Sequence, residues 1–152
     1  MHPRTAHWFA DYAADHRHPT NRLTHKVAIP LIVFHIIAML SWLPLGVVAG
    51  FPVTVAHIAW ALASIFWVAH LPKGGAVLTL ATLPMVLWGG LVPAPVVVAV
   101  AVFGWTVQLA GHAIWEKNRP SFLKNALHAL VGPLFFAAVL VGEWRVPVPA
   151  AD

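Results

Sequence analysis

Residues 27–72, VAIPLIVFHIIAMLSWLPLGVVAGFPVTVAHIAWALASIFWVAHLP, contain no lysine, arginine, aspartate or glutamate. A helix that crosses a bilayer needs roughly 20 predominantly apolar residues, so this stretch is long enough for two such helices. Proline and glycine cluster between Pro44 and Pro52, where they favour a break in regular structure. The stretch therefore predicts a pair of membrane-spanning helices joined by a short connection.

Two further uncharged blocks follow along the chain. The block from Gly74 to Trp115 is broken by proline and glycine at residues 89–95, and it predicts two more spans. The block from Asn125 to Gly142 suits either a fifth span or a helix that packs against the others without crossing. We therefore expect an all-α integral membrane protein with a single domain over residues 1–152, a bundle of four to five transmembrane helices. An N-terminal interfacial helix within segment 1–26 would precede spans at approximately 27–43, 53–71, 76–90, 95–115 and 125–142.

The composition of the chain supports a membrane protein. Hydrophobic residues make up 60% of the 152 residues and charged residues only 9%, whereas soluble domains carry about 25% charged residues. The net charge is +4, but the cations are too few and too scattered for a nucleic-acid-binding face. The absence of cysteine excludes disulfides, iron–sulfur clusters and thiolate zinc sites. The polar first 26 residues do not resemble a cleavable signal peptide.

Lysine and arginine collect on one predicted face of the membrane. Such cations are enriched in cytoplasmic loops, so we expect the N-terminus in the cytoplasm of a multi-pass protein of a bacterial-type inner (plasma) membrane. The opposite face would carry Arg145 at most. The cations of the predicted cytoplasmic face are Arg4, Arg17, Arg22, Lys26, Lys73, Lys117, Arg119 and Lys124.

A histidine and a carboxylate four residues apart end the fourth predicted span. On a helix, His112 and Glu116 would lie on one face and could share a cation. An ionised carboxylate at an apolar boundary is costly unless it is paired or coordinates a metal. A salt bridge from Glu116 to a neighbouring lysine or arginine explains the pattern equally well.

Two histidines near the N-terminus strengthen the metal hypothesis. His16 and His25 cannot share one helix face, but a turn at Pro19 would bring them together. Histidine with carboxylate suits Fe(II), Zn(II) or Mn(II), and open coordination positions favour oxygen-activating non-haem iron. The alternatives are histidines that only pack inside the bundle, or histidines that clamp a haem. His70 and His128 are second-rank candidate ligands.

Cations lie next to both histidine motifs. Arg22, Lys26, Lys117 and Arg119 could bind the carboxylate of a substrate at the membrane surface. They could equally set the topology and contact anionic lipid headgroups.

Two motifs resemble those of a known family. The first is Tyr12-x-x-x-His16-x-x-x-x-Asn21-x-x-x-His25-x-x-x-Ile29-Pro30, and the second is Gly111-His112-x-x-x-Glu116-Lys117-x-x-Pro120. Together they resemble the iron-dependent 2-hydroxy fatty acid dioxygenases of α-oxidation. The resemblance covers roughly residues 7 to 140. Ala28 stands where the family usually has glycine.

The resemblance implies a small helical membrane enzyme that shortens 2-hydroxy fatty acids by one carbon with O2 and Fe(II). By position, the catalytic and metal-binding residues would be His16, His25 and His112, with Glu116 as a ligand or as a support for one. Tyr12 and Asn21 match motif positions and would contribute to substrate binding. The expected partners are the 2-hydroxy fatty acid, O2 and the lipid bilayer, and so small a bundle is compatible with a homodimer. A metal- or haem-binding membrane protein without acyl-chain chemistry, or a non-catalytic membrane module, remains the alternative.

Overall fold

The computed structural model describes residues 1–144, and most of those residues are helical. The predicted far-side cation, Arg145, lies outside the described residues. The helices are α1 (Pro3–Ala14), α2 (Pro19–Leu40), α3 (Val55–His70), α4 (Pro72–Trp88), α5 (Ala94–Gly111), α6 (Ser121–Lys124) and α7 (His128–Leu140). A 3₁₀ turn (Gly89–Leu91) follows α4, a π-helical turn (His112–Glu116) follows α5, and two short strands, β1 (Pro44–Val48) and β2 (Phe51–Thr54), separate α2 from α3.

Three of the helical segments are long and apolar enough to cross a membrane. They are Pro19–Leu40, Pro72–Leu91 and Ala94–Glu116, whereas Val55–His70 and His128–Leu140 are shorter apolar helices. Large apolar side chains such as Leu62, Leu80 and Val102 lie on the outside of the bundle, as they do where lipid is the solvent. The predicted all-α membrane fold is confirmed.

The connection between α2 and α3 is a β-hairpin, which the sequence pattern did not predict. β1 and β2 pair antiparallel, and Ala49 and Gly50 at the tip have φ angles of 50° and 85°. The hairpin leaves Val47, Val48 and Phe51 exposed. The proline- and glycine-rich segment thus breaks the helix as expected, but the break is an ordered structure.

Helices α2 and α5 pack closely through a glycine. A Cβ at Gly111 would overlap the side-chain oxygens of Asn21 and Thr24, so glycine lets these two side chains of α2 pack directly on α5. Gly104, two turns earlier on α5, also faces α2, but a Cβ there would make only ordinary van der Waals contact with Leu31 and Ile32. The start of α2 is therefore held against the end of α5.

Helices α1 and α7 cover one end of the bundle. The Thr5 hydroxyl donates to the His70 carbonyl at the end of α3, at 3.3 Å. Phe9 and Tyr12 of α1 pack with Phe135 of α7, in an apolar core that also contains Trp67, Leu71, Val131 and Leu134.

Both ends of α7 contact this same end of the bundle. At its start, His128 lies against the ring of Tyr12. Just beyond its end, the Glu143 carboxylate accepts a hydrogen bond of 2.8 Å from the Gly74 N–H in the first turn of α4. Contacts at both ends of α7 are therefore made at one end of the bundle, and we expect this helix to pack against the others without crossing the membrane.

We expect single cysteines at the two ends of the bundle to differ in accessibility. The chain has no cysteine of its own, so each label reports one position. In intact cells a membrane-impermeant maleimide should label Val48→Cys in the hairpin, but not Arg17→Cys or Leu140→Cys. A permeant maleimide should label all three variants. Labelling of Leu140→Cys together with Val48→Cys would instead show that α7 crosses the membrane.

Candidate metal centre

Three buried histidines from three different segments meet at the covered end of the bundle. His16 lies between α1 and α2, His25 lies on α2, and His112 begins the π-helical turn after α5. Their candidate ligand nitrogens all lie within 4.8 Å of one another. Their rings pack edge to face, with centroids 4.7 to 4.8 Å apart. The turn at Pro19 thus brings His16 and His25 together.

Backbone carbonyls orient two of the three rings. His16 Nδ1 lies 2.6 Å from the Tyr12 carbonyl, and His25 Nδ1 lies 2.8 Å from the Asn21 carbonyl. A carbonyl can only accept, so each Nδ1 carries the proton and donates. The Nε2 atom of each ring is then left with a lone pair, as in metal-ligating histidines.

The donor set fits a metal ion. His25 Nε2 and His112 Nε2 are 3.1 Å apart, and two imidazole nitrogens on one metal are separated by about 3 Å when each bond is about 2.1 Å. His16 Nε2 is buried without a hydrogen-bond partner among the described residues. Burial lowers the pKa of His16 to about 4, so at neutral pH its imidazole is in the neutral form that binds metals.

Tyr12 and Gln108 complete the surroundings of the histidines. The Tyr12 ring stacks on His16 with centroids 3.9 Å apart, and burial raises the pKa of its hydroxyl well above the ordinary value. The amide nitrogen of Gln108 lies 2.7 Å from His25 Nε2. Sequence reasoning missed Gln108, although its position four residues before His112 places both on one face of α5.

Glu116 lies beside the histidine cluster and binds the start of α2. Its Oε1 accepts from the His18 backbone N–H at 2.9 Å and from Asn21 Nδ2 at 3.0 Å. The cluster of ligand atoms within 4.8 Å, among the described residues, comprises the three histidines without Glu116. A carboxylate at a helix N-terminus satisfies free N–H groups and favours the helix dipole. Glu116 therefore holds the side chain of Asn21, while the backbone carbonyl of the same residue bonds to His25.

Asp15 fastens the segment after the π-helical turn to the α1–α2 connection. Its carboxylate accepts from Lys124 at 2.6 Å, from Ser121 at 2.9 Å and from Asn118 at 3.0 Å. Partial burial alone would raise the pKa of Asp15, but the hydrogen bonds from Lys124 and Ser121 and the Lys124 charge outweigh it and lower the pKa.

The four predicted substrate-binding cations separate into two pairs. Arg22 and Lys26 line a groove of about 400 Å³, and Tyr12 and His16 also line it. Lys117 and Arg119 are exposed in the segment after the π-helical turn, and Lys117 adopts a left-handed conformation with a φ angle of 51°. Of the four, Arg22 and Lys26 thus line a groove together with His16 of the cluster.

Most of the other histidines have local structural contacts. His2, His18 and His57 accept hydrogen bonds at the starts of helices. His35 and His70 each bond to the carbonyl four residues earlier. His35 also accepts from the Trp105 indole at 3.2 Å.

A cavity of about 110 Å³ lies between α2, α5 and α7 and reaches the cluster. His16, His112, Gln108 and His128 lie along its wall, together with Tyr12 and Ser121. Most of the remaining wall is apolar. It is formed by Ile29, Ile32, Val33, Ile36, Trp105, Phe122, Ala129, Gly132 and Pro133.

Comparison with known proteins agrees with this architecture. Residues 3–144 match the model of a family described as 2-hydroxy-palmitic acid dioxygenase Mpo1-like, and the chain belongs to that family. The chain is also similar to the 2-hydroxy-palmitic acid dioxygenase MPO1 of Saccharomyces cerevisiae, with 27% identity over 129 residues. The match covers 82% of this chain and 72% of the yeast protein. No solved structure matches the chain significantly.

Two substitutions of Glu116 should separate a positioning role from metal ligation. Glu116→Gln keeps an acceptor for His18 and Asn21, so we expect unchanged metal content and a stability within about 1 kcal/mol of wild type. Glu116→Ala leaves two donors without their partner and should destabilise the protein by about 1–3 kcal/mol. Thermal unfolding in detergent and mass spectrometry of bound metal measure both effects. Loss of metal from Glu116→Gln would identify Glu116 as a ligand.

Replacement of Asp15 should destabilise the protein in a pH-dependent manner. A carboxyl group with a lowered pKa stabilises the fold above its ordinary value of 3.8, and this contribution is lost as pH falls through the lowered value. At pH 7, Asp15→Asn should cost about 1 kcal/mol, since part of the network is exposed. The difference from wild type should shrink below about pH 4. Asp11→Asn, at an exposed carboxylate, is the matched control, and an effect of equal size there would contradict this role for Asp15.

Proposed function

We propose that the protein is an Fe(II)-dependent dioxygenase that shortens 2-hydroxy fatty acids by one carbon at the cytoplasmic face of a membrane. The observation that carries the proposal is the buried cluster of His16, His25 and His112 at the end of an apolar cavity. Membership of the 2-hydroxy-palmitic acid dioxygenase Mpo1-like family supports the reaction class.

The three histidines would hold the iron. Neutral imidazoles bind several first-row divalent metals, and the reaction class favours one that reacts with O2. When bound, iron would supply O2 activation and a coordination site for substrate oxygens. Tyr12 and Asn21 hold two of the rings through their carbonyls. Burial excludes bulk water from the cluster, which protects a reactive site from side reactions.

The reaction balances without a further reductant. A 2-hydroxy acid, RCH(OH)COOH, and O2 give RCOOH, CO2 and H2O. The C1–C2 bond breaks, C2 is oxidised to the carboxyl carbon of the shortened acid, and O2 is the four-electron acceptor. Arg22 and Lys26 would attract the carboxylate of an approaching substrate into the groove beside His16, since clefts with one sign of charge concentrate ligands of the other sign.

The geometry gives less support to a haem protein. Two histidines that clamp a haem lie on opposite faces of the macrocycle. The three rings here pack directly on one another, with centroids 4.7 to 4.8 Å apart. A planar macrocycle would have to separate rings that are now in contact.

Iron content and turnover together test the proposal. Protein purified anaerobically and loaded with Fe(II) should contain near-stoichiometric iron and convert 2-hydroxypalmitate and O2 to pentadecanoate. His112→Ala should lose iron and at least roughly a hundredfold in activity. His7→Ala, at an exposed histidine that pairs with Asp11, is the control and should match wild type.

Two results would refute the proposal. One is full iron retention and full activity in His112→Ala. The other is wild-type protein that holds iron yet consumes no O2 with any 2-hydroxy fatty acid.

A further inference from the structure

His128 is a buried histidine whose ring has no polar partner. It lies at the start of α7 with 8% of its surface exposed. Neither Nδ1 nor Nε2 has a hydrogen-bond partner among the described residues, although both atoms are buried. Buried polar groups are nearly always hydrogen-bonded, because desolvation without a new bond costs free energy. A buried ring without hydrogen-bond partners therefore indicates a ligand that supplies those hydrogen bonds.

His128 lines the same cavity as the histidine cluster. The wall near it includes His16, His112 and Gln108, and Gln108 Oε1 is likewise buried without a partner. His128 does not belong to the group of ligand atoms within 4.8 Å. Its place is thus beside the metal centre, where the head of a bound molecule would lie.

The cavity is amphipathic along its length. Beyond the polar end, Ile29, Ile32 and Ile36 follow one side of α2 into the bundle. Ile36 is 43% exposed, so the apolar end reaches the surface that lipid would cover. An amphiphile with a compact polar head and an extended chain matches this distribution, and its chain could continue into the bilayer.

We propose that His128 binds the head of a 2-hydroxy fatty acid and distinguishes it from an unsubstituted fatty acid. This inference rests on the proposed function and assigns a specificity residue to it. A neutral imidazole offers one donor and one acceptor. The donor pairs with a carboxylate oxygen and the acceptor pairs with the 2-hydroxyl group. A fatty acid without the hydroxyl satisfies only the donor, and the second nitrogen remains buried and unpaired.

Two substitutions of His128 separate its polar function from its volume. His128→Gln retains a donor and an acceptor, whereas His128→Phe fills the space without either. His70→Gln is the matched control, because His70 lies at the same end of the bundle and does not line the cavity. Equilibrium binding of 2-hydroxypalmitate and palmitate is measured anaerobically on Fe(II)-loaded protein in lipid nanodiscs, together with iron content and unfolding temperature.

We expect wild type, His128→Gln and His70→Gln to bind 2-hydroxypalmitate more tightly than palmitate. His128→Phe should weaken 2-hydroxypalmitate binding by roughly tenfold or more and bind the two acids about equally, with iron content unchanged. In turnover the same variant should raise KM more than it lowers kcat.

Several outcomes would overturn the inference. Unchanged preference for the 2-hydroxy acid in His128→Phe is one, and loss of iron is another, since it would make His128 a metal ligand. Wild type that binds neither acid also overturns it. If His128→Phe does not fold, the comparison uses wild type and folded His128→Gln. Equal affinities of these two proteins for the two acids would contradict the inference. Binding with the expected preference but without O2-dependent turnover would refute only the proposed function.

Discussion

The close contact between α2 and α5 at Gly111 is the constraint on which the candidate site depends. Asn21 and Thr24 occupy the space that any side chain at position 111 would need. The next residue along the chain is His112, and its Nε2 lies 3.1 Å from His25 Nε2. A larger residue at position 111 would displace the Asn21 and Thr24 side chains or α2 itself, next to a cluster whose geometry must hold to within about 0.5 Å. Gly111 therefore serves both the packing of α2 against α5 and the position of His112 beside His25.

Two carboxylates hold the polar end of the bundle together by different means. Glu116 satisfies free N–H groups at the start of α2, and Asp15 gathers the side chains of the segment after the π-helical turn. Both join the chain near His16 to residues that follow α5, since Glu116 lies in the π-helical turn that carries His112 and Asp15 binds the segment after that turn. His16 is thus positioned by polar contacts at this end of the bundle, whereas His25 and His112 are positioned by helix packing.

Much of this architecture could be predicted from the sequence. Long uncharged runs with proline and glycine breaks predicted the helices. Both signals are local in sequence, because an apolar run favours a helix in the bilayer and proline and glycine interrupt regular structure. The two motifs predicted His16, His25 and His112, and the structure brings these three together. Other features escaped prediction. The break at Pro44 is a paired hairpin, and Gln108 lies next to His25.

The sequence by itself determined the helical membrane class, the family and the identities of the three histidines, since these follow from local composition and motif spacing. Only the tertiary structure decided what lies beside them. Gln108 and His128 enter the site because α5 and α7 pack against α2, and Glu116 binds the start of α2 because the π-helical turn directs it there. These partners are distant in sequence. Their meeting depends on which helix faces pack together, and no periodicity within one segment encodes that choice.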